Sequence, residues 1–225
     1  MTDFRKKSLK LSLAAFSLFA TINITAQEKE PVAFQNPPVN VEVMPGSRGI
    51  SFQTIIDKKI KSIPQLGFFS VTDFNSDWNQ EQLSDLMVLG KVTVDVFKNV
   101  RLGAGFQSTP GGIRPSAAII YTYANPEWLI IAMPRVDLSK NANIETLGII
   151  EYKPAINEKW RFYSRLQGTY VHAMSADIHT RSYLRARAGV TVKEFTFGVG
   201  ANMEYYGPFK QNENNIGAFL QVALF

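Results

Sequence analysis

The sequence predicts an all-β chain, a transmembrane antiparallel up-and-down β-barrel of about twelve strands, with ten as the alternative. Three observations predict it. Apolar and polar residues alternate over stretches of roughly 10 to 13 residues, near the 9 to 11 a tilted membrane strand needs and beyond the usual 5 to 6 of soluble sheets. No stretch after the N-terminal segment approaches about 18 uncharged apolar residues, so any membrane span is made of strands. The chain has no cysteine, which removes an acylated anchor, disulfides and thiolate metal sites and leaves hydrogen bonds and packing to hold the shape.

The N-terminus comes first. Arg5, Lys6, Lys7 and Lys10 precede an apolar run from Leu11 to Ala20 and a polar stretch ending in Ala26. This is the layout of a secretory signal peptide over residues 1–26, with cleavage leaving Gln27 first. Its removal takes away four basic residues and one acidic one and lowers the net charge from +5 to +2, a balance that argues against nucleic acid as a partner. Residues 27–38, with Pro31, Pro37 and Pro38, read as a periplasmic lead-in, and residues 39–225 as one barrel domain.

Strands are expected at 39–45, 49–57, 65–74, 84–97, 99–108, 112–124, 127–137, 143–153, 159–170, 181–192, 195–206 and 215–225. The clearest is 195–206, with Phe195, Phe197, Val199, Ala201, Met203 and Tyr205 on one face and Thr196, Gly198, Gly200, Asn202 and Glu204 on the other. Between 181 and 192, Leu184, Ala186, Ala188 and Val190 oppose Tyr183, Arg185, Arg187 and Thr191. A charge on a lipid-facing wall costs about 2–4 kcal/mol near the midplane, so the charged face is assigned to the interior. That places Lys91, Asp95, Arg101, Arg114, Arg135, Glu145, Glu151, Arg161, Arg165, Arg185, Arg187 and Glu204 inside.

Connections are expected to alternate in length. Lys98–Asn99, Ala124–Glu127 and Lys193–Glu194 read as tight periplasmic turns, and 74–84, 138–142, 171–180 and 207–214 as longer external loops. Aromatic residues on the apolar face, Tyr121, Tyr123, Trp128, Tyr152, Trp160, Phe195 and Phe197, gather near the short turns, as rings do at a membrane interface.

The chain ends in Gly217-Ala218-Phe219-Leu220-Gln221-Val222-Ala223-Leu224-Phe225. This segment resembles the terminal strand that bacterial outer-membrane β-barrel proteins present to their assembly machinery, with Phe219 and Phe225 as the signal residues and Gln221 a polar interruption on their face. The resemblance implies a bacterial outer-membrane location, with membrane lipids and the barrel assembly machinery as partners.

Two readings of the interior stay open. Arg101, Arg114, Arg161, Arg165, Arg185 and Arg187, with Glu151 and Glu204, either line a narrow channel for small anionic solutes or pair off and plug a structural or ligand-binding barrel. Symmetric folding of the turns sets Glu151 opposite Arg161 and Arg165 opposite Arg187. The chain is not read as an enzyme; the alternative is an outer-membrane lipid hydrolase using His172 or His179, near Ser175, Asp177 and Ser182. No cofactor or metal is implied, because the two histidines and scattered carboxylates lack ligand spacing and the glycines at 103, 105, 198 and 200 sit within strands.

Overall fold

The computed structural model describes residues 36–79 and 85–225; the expected signal peptide and the expected lead-in up to residue 35 lie outside the described residues. Twelve strands follow in order: β1 Val39–Pro45, β2 Gly49–Ile60, β3 Ile63–Asp77, β4 Asp85–Phe97, β5 Val100–Thr109, β6 Gly112–Ala124, β7 Trp128–Asp137, β8 Asn143–Tyr152, β9 Trp160–Ala173, β10 Ile178–Val192, β11 Phe195–Tyr206 and β12 Gln211–Leu224. Each pairs antiparallel with the next, and β12 returns to β1 through Val41↔Val222 and Glu42↔Gln221. Closure satisfies the edge that an open sheet would leave unpaired. The ten-strand alternative is set aside, since closure runs through β1 and β2, the two segments weakest in the sequence.

Val39, Leu224 and the connections after β2, β4, β6, β8 and β10 share one end of the barrel. Asn99 (φ 65°) and Lys193 (φ 51°) supply the left-handed residues that let two-residue links reverse the chain after β4 and β10. Just before β1, Asn36 bonds the Lys59 backbone in both directions, at 2.7 and 3.1 Å, which fastens the start of the barrel wall to the end of β2.

The expected contrast in loop length is observed in part: 98–99, 125–127 and 193–194 are short and 138–142 is longer, but two other expected loops are largely strand. Strands β9, β10 and β12 continue through much of 171–180 and 207–214, leaving connections of only 174–177 and 207–210, while 153–159 at the opposite end is longer. Residues such as His179 and Asn214 look like loop by composition, yet each joins a ladder in which backbone pairing, indifferent to side-chain polarity, decides the structure.

The two walls have the predicted sense. Phe197, Val199 and Leu184 are exposed on the outer wall, whereas Arg185 and Arg187 are buried inside. The interior is not uniformly polar, however. From β3 to β8 the inward positions hold Phe69, Val71, Leu89, Ile120, Ile131, Met133, Leu147 and Ile149, all buried and packed together with Tyr183 of β10. This explains why alternation is weak between 84 and 153: strands apolar on both faces have no polar phase to show.

On β12 the inward face carries Phe219 and Gln221, both buried, and the outer face carries Ile216, Leu220 and Leu224. The expectation that treated Phe219 as part of an apolar terminal signal face is corrected in this respect. Phe219 packs inside against Tyr163 and Met44, which is why it shares its face with the polar Gln221. Phe225 stands beyond the last strand and is exposed.

Candidate functional site

The charged side chains of the interior form connected ion pairs rather than a lined channel. Arg165 and Arg187 are direct cross-strand neighbours, as expected, and their like charge is met from the far side of the barrel. Glu42 of β1 accepts from Arg165 Nη2 at 2.6 Å through one oxygen and from Arg187 Nε at 3.0 Å and Nη2 at 2.9 Å through the other. Arg187 also donates to Asn202 Oδ1 at 2.9 Å and lies over the Phe219 ring. It fits because position 200 is glycine: a Cβ there would come within 2.8 Å of both Arg187 Cδ and Met44 Sδ. Gly200→Ala is expected to push Arg187 off Glu42 and cost about 1–3 kcal/mol in urea unfolding of the refolded barrel.

One step toward the other end, Arg185 is gripped by Asp73 of β3 and Glu204 of β11, with Nε to Glu204 at 3.0 Å and Nη2 to Asp73 at 3.0 Å. Its guanidinium lies 4.3 Å from the Tyr183 ring centroid. Arg181 pairs with Glu204 at 2.8 Å and Asp85 at 2.5 Å. Two neighbouring networks result, Arg165 and Arg187 on Glu42 and Arg181 and Arg185 on Asp73, Asp85 and Glu204, so that four guanidiniums are matched by four carboxylates across β1, β3, β4, β9, β10 and β11. Burying such ions costs several kcal/mol each unless partners are close and hydrogen-bonded, which is the condition met here.

Other interior charges are satisfied separately. Arg101 makes a bidentate pair with Asp57 at 2.6 and 2.7 Å. Arg135 pairs with Asp137 at 2.7 Å and with Glu145, and Arg114 reaches the same Asp137 at 3.3 Å. Asp95 is paired with Lys59. Lys91 is buried against Ser116, donating to its hydroxyl at 2.7 Å.

The expected Glu151–Arg161 pair is not formed. Asn157 caps the backbone amides of Lys159 and Trp160 at 2.9 Å, and Ala155 bridges Arg161, so the link between β8 and β9 is asymmetric and sets Glu151 opposite Arg165. Glu151 accepts instead from Lys153 at 2.9 Å and the Tyr163 hydroxyl at 3.0 Å, and Arg161 donates to the carbonyls of Lys153 and Pro126. Sequence reasoning also missed Glu42, Asp57, Asp73, Asp85, Asp137 and Arg181. Glu42 and Asp73 carried a usable signal, the phase of their own strands, with Val41 and Val43 flanking Glu42. Asp85, Asp137 and Arg181 stand at the ends of the expected strands 84–97, 127–137 and 181–192, where phase is least defined.

At the end opposite the termini, a recess of about 220 Å³ is lined by Arg114, Arg135, Arg181, Glu145, Thr169 and Tyr183. Beneath it, Met133, Ile149, Gln167 and Arg185 are at most 2% exposed, so the recess has a closed floor.

The outer wall carries two levels of aromatic residues. Near the termini, Tyr121, Tyr123, Trp128, Trp160, Phe195 and Phe197 are exposed, and Trp128 rests on Tyr152 with centroids 4.3 Å apart. At the other end Tyr170 and Tyr205 stand on β9 and β11. Trp160 to Tyr170 and Phe195 to Tyr205 are each a ten-residue step, about 33 Å along a strand and about 25 Å of height at the usual tilt of about 40°.

The two histidines differ. His172 is half-exposed and bonds only Asp177, at 3.0 Å. His179 is buried, with Nδ1 2.7 Å from the Gly207 carbonyl and Nε2 3.0 Å from Ser182 Oγ.

Fold and walls together define a class: a closed twelve-strand barrel that is apolar outside and ion-paired or apolar inside. Among solved structures it is similar to the porin NanC, at 15% identity over 84% of this chain and 99% of that one, with a TM-score of 0.49. It is also similar to LpxR from Salmonella typhimurium, at 8% identity over 83% of this chain and 99% of that one, with a TM-score of 0.39. No family model and no curated protein sequence matches the chain. Neither similarity assigns an activity to it.

Proposed function

We propose that the chain is an integral outer-membrane barrel that does not conduct, held in the bilayer by its outer wall and sealed by its own interior. The observation that carries this reading is the pairing of opposite walls. The apolar band of about 25 Å between the two aromatic levels matches the height of an outer-membrane barrel's lipid-facing belt. Its interior holds an apolar cluster on one side and two adjacent ion-pair networks, balanced in charge when taken together, on the other. The expected partners are lipids around the belt and the barrel assembly machinery at β12.

An arginine-lined path for anions needs cationic groups free to meet a solute. Here Arg165, Arg185 and Arg187 each hold a carboxylate within their own network, which favours the sealed reading over the channel. Refolded into planar bilayers, the full chain is expected to give no unitary current steps in single-channel recording. Reproducible steps from folded protein, with anion preference altered by Arg165→Glu and Arg187→Glu, would restore the channel.

A further inference from the structure

The arrangement of Ser182, His179 and Gly207 has no role in sealing the barrel. Strand β10 shifts register between His179 and Arg181, so Thr180 is the extra residue of a bulge. Arg181 and Tyr183 keep their inward direction, while His179, opposite His172, joins Ser182 on the outer wall. The bulge thereby brings His179 Nε2 to 3.0 Å from Ser182 Oγ. On the far side of the ring, the Gly207 carbonyl lies 2.7 Å from Nδ1. A carbonyl only accepts, so Nδ1 carries the proton, Nε2 of the neutral ring keeps its lone pair, and the Ser182 hydroxyl donates to it. This is the protonation pattern of a serine nucleophile and its general base, with a backbone carbonyl as the orienting third group. Gly207 can occupy its place because it is left-handed, at φ +68°.

Position supplies the substrate. Ser182 is directly paired with Tyr170 on one side and Tyr205 on the other, so it stands at the level of the aromatic residues, where headgroups give way to acyl chains. Below it, Ala132, Gly148 and Gly168 follow one another across β7, β8 and β9 to Leu184, and a Cβ added at Gly148 would meet nothing within 4 Å. The wall is thus low across β7 to β9 one level below the hydroxyl, as far as Leu184, whose Cδ1 stands 3.8 Å from where a Cβ on Gly168 would lie, and this strip accepts an alkyl chain.

We propose that Ser182 and His179 form a catalytic dyad that hydrolyses an acyl ester of a membrane lipid in the leaflet at this end of the barrel. This rests on the reading that the outer wall faces lipid. Ser182 Oγ attacks the ester carbonyl as its proton passes to His179 Nε2. The tetrahedral oxyanion collapses, expelling the lipid alcohol, which takes that proton. Water then attacks the acyl-serine, giving up its proton to Nε2, and the fatty acid leaves as Ser182 regains its hydrogen.

The test uses the folded full chain in detergent and in vesicles. A fluorophosphonate probe loses fluoride to a serine activated in this way, and mass spectrometry is expected to place the adduct on Ser182. Release of fatty acid is then followed from phosphatidylethanolamine vesicles and, in a second arm, from purified lipopolysaccharide, since both present acyl esters. Release from either arm supports the proposal and names the source. Ser182→Ala and His179→Ala are expected to lower the rate at least about 1,000-fold, whereas His172→Ala leaves it unchanged. Each variant is checked for folding by its heat-dependent shift on a gel. No adduct on folded protein overturns the dyad whatever the variants do, and an adduct without release from either lipid overturns the ester assignment. A folded chain that stays in buffer without detergent instead overturns the membrane reading.

Discussion

Glu42→Gln is expected to destabilise the barrel by about 3–5 kcal/mol, the cost of leaving buried charge without its partner. Both guanidiniums that meet Glu42 are 2% exposed, and each takes one of its oxygens. Glutamine keeps the shape and one acceptor but removes the negative charge, so Arg165 and Arg187, already adjacent in the ladder, face each other with no carboxylate between them. The triple replacement Glu42→Met, Arg165→Leu, Arg187→Met is expected to recover most of the loss, because removing all the charges also removes their desolvation cost. Urea titration of protein refolded in vesicles, followed by the fluorescence of Trp128 and Trp160, measures both. A single variant within about 1 kcal/mol of the parent would show that water reaches the pair and that the interior is not sealed.

Val199→Arg tests the other wall. Val199 is 65% exposed and lies near the middle of the step from Phe195 to Tyr205. An arginine there is expected to cost about 2–4 kcal/mol in a bilayer, and the same change at Leu224, two residues past the level of Phe195 on β12, about 0–1 kcal/mol. A wall bathed in water tolerates both equally. Equal, small effects at the two positions in vesicles would therefore contradict a lipid-facing belt, since only hydrocarbon grades the penalty by depth.

How much of this was legible depended on whether a residue's neighbours lay along the strand or across the barrel. The wall each side chain faces follows from local phase, and Arg185, Arg187, Phe197 and Val199 were all assignable from alternation alone. The Arg165–Arg187 contact was legible too, because a hairpin with a near-symmetric turn sets its own register. The Glu151–Arg161 expectation failed where a local cap at Asn157 displaced the pairing, something turn length does not reveal. Partners across the interior, such as Glu42 for Arg165 at a separation of 123 residues, depend on barrel geometry and leave no mark in either strand. The His179–Ser182 contact was hidden for another reason: an odd, three-residue spacing puts the pair on opposite faces unless a bulge intervenes.

Closure of β12 onto β1 bears on how such a chain matures. The first strand of the wall to be synthesised borders the last, and its glutamate is the counterweight for arginines more than a hundred residues downstream. No incomplete set of hairpins can therefore settle into hydrocarbon at low cost, because its basic groups would be left unanswered until the ends meet. On the membrane reading proposed above, insertion and sealing are therefore expected to be one cooperative event that waits for β12 to meet β1.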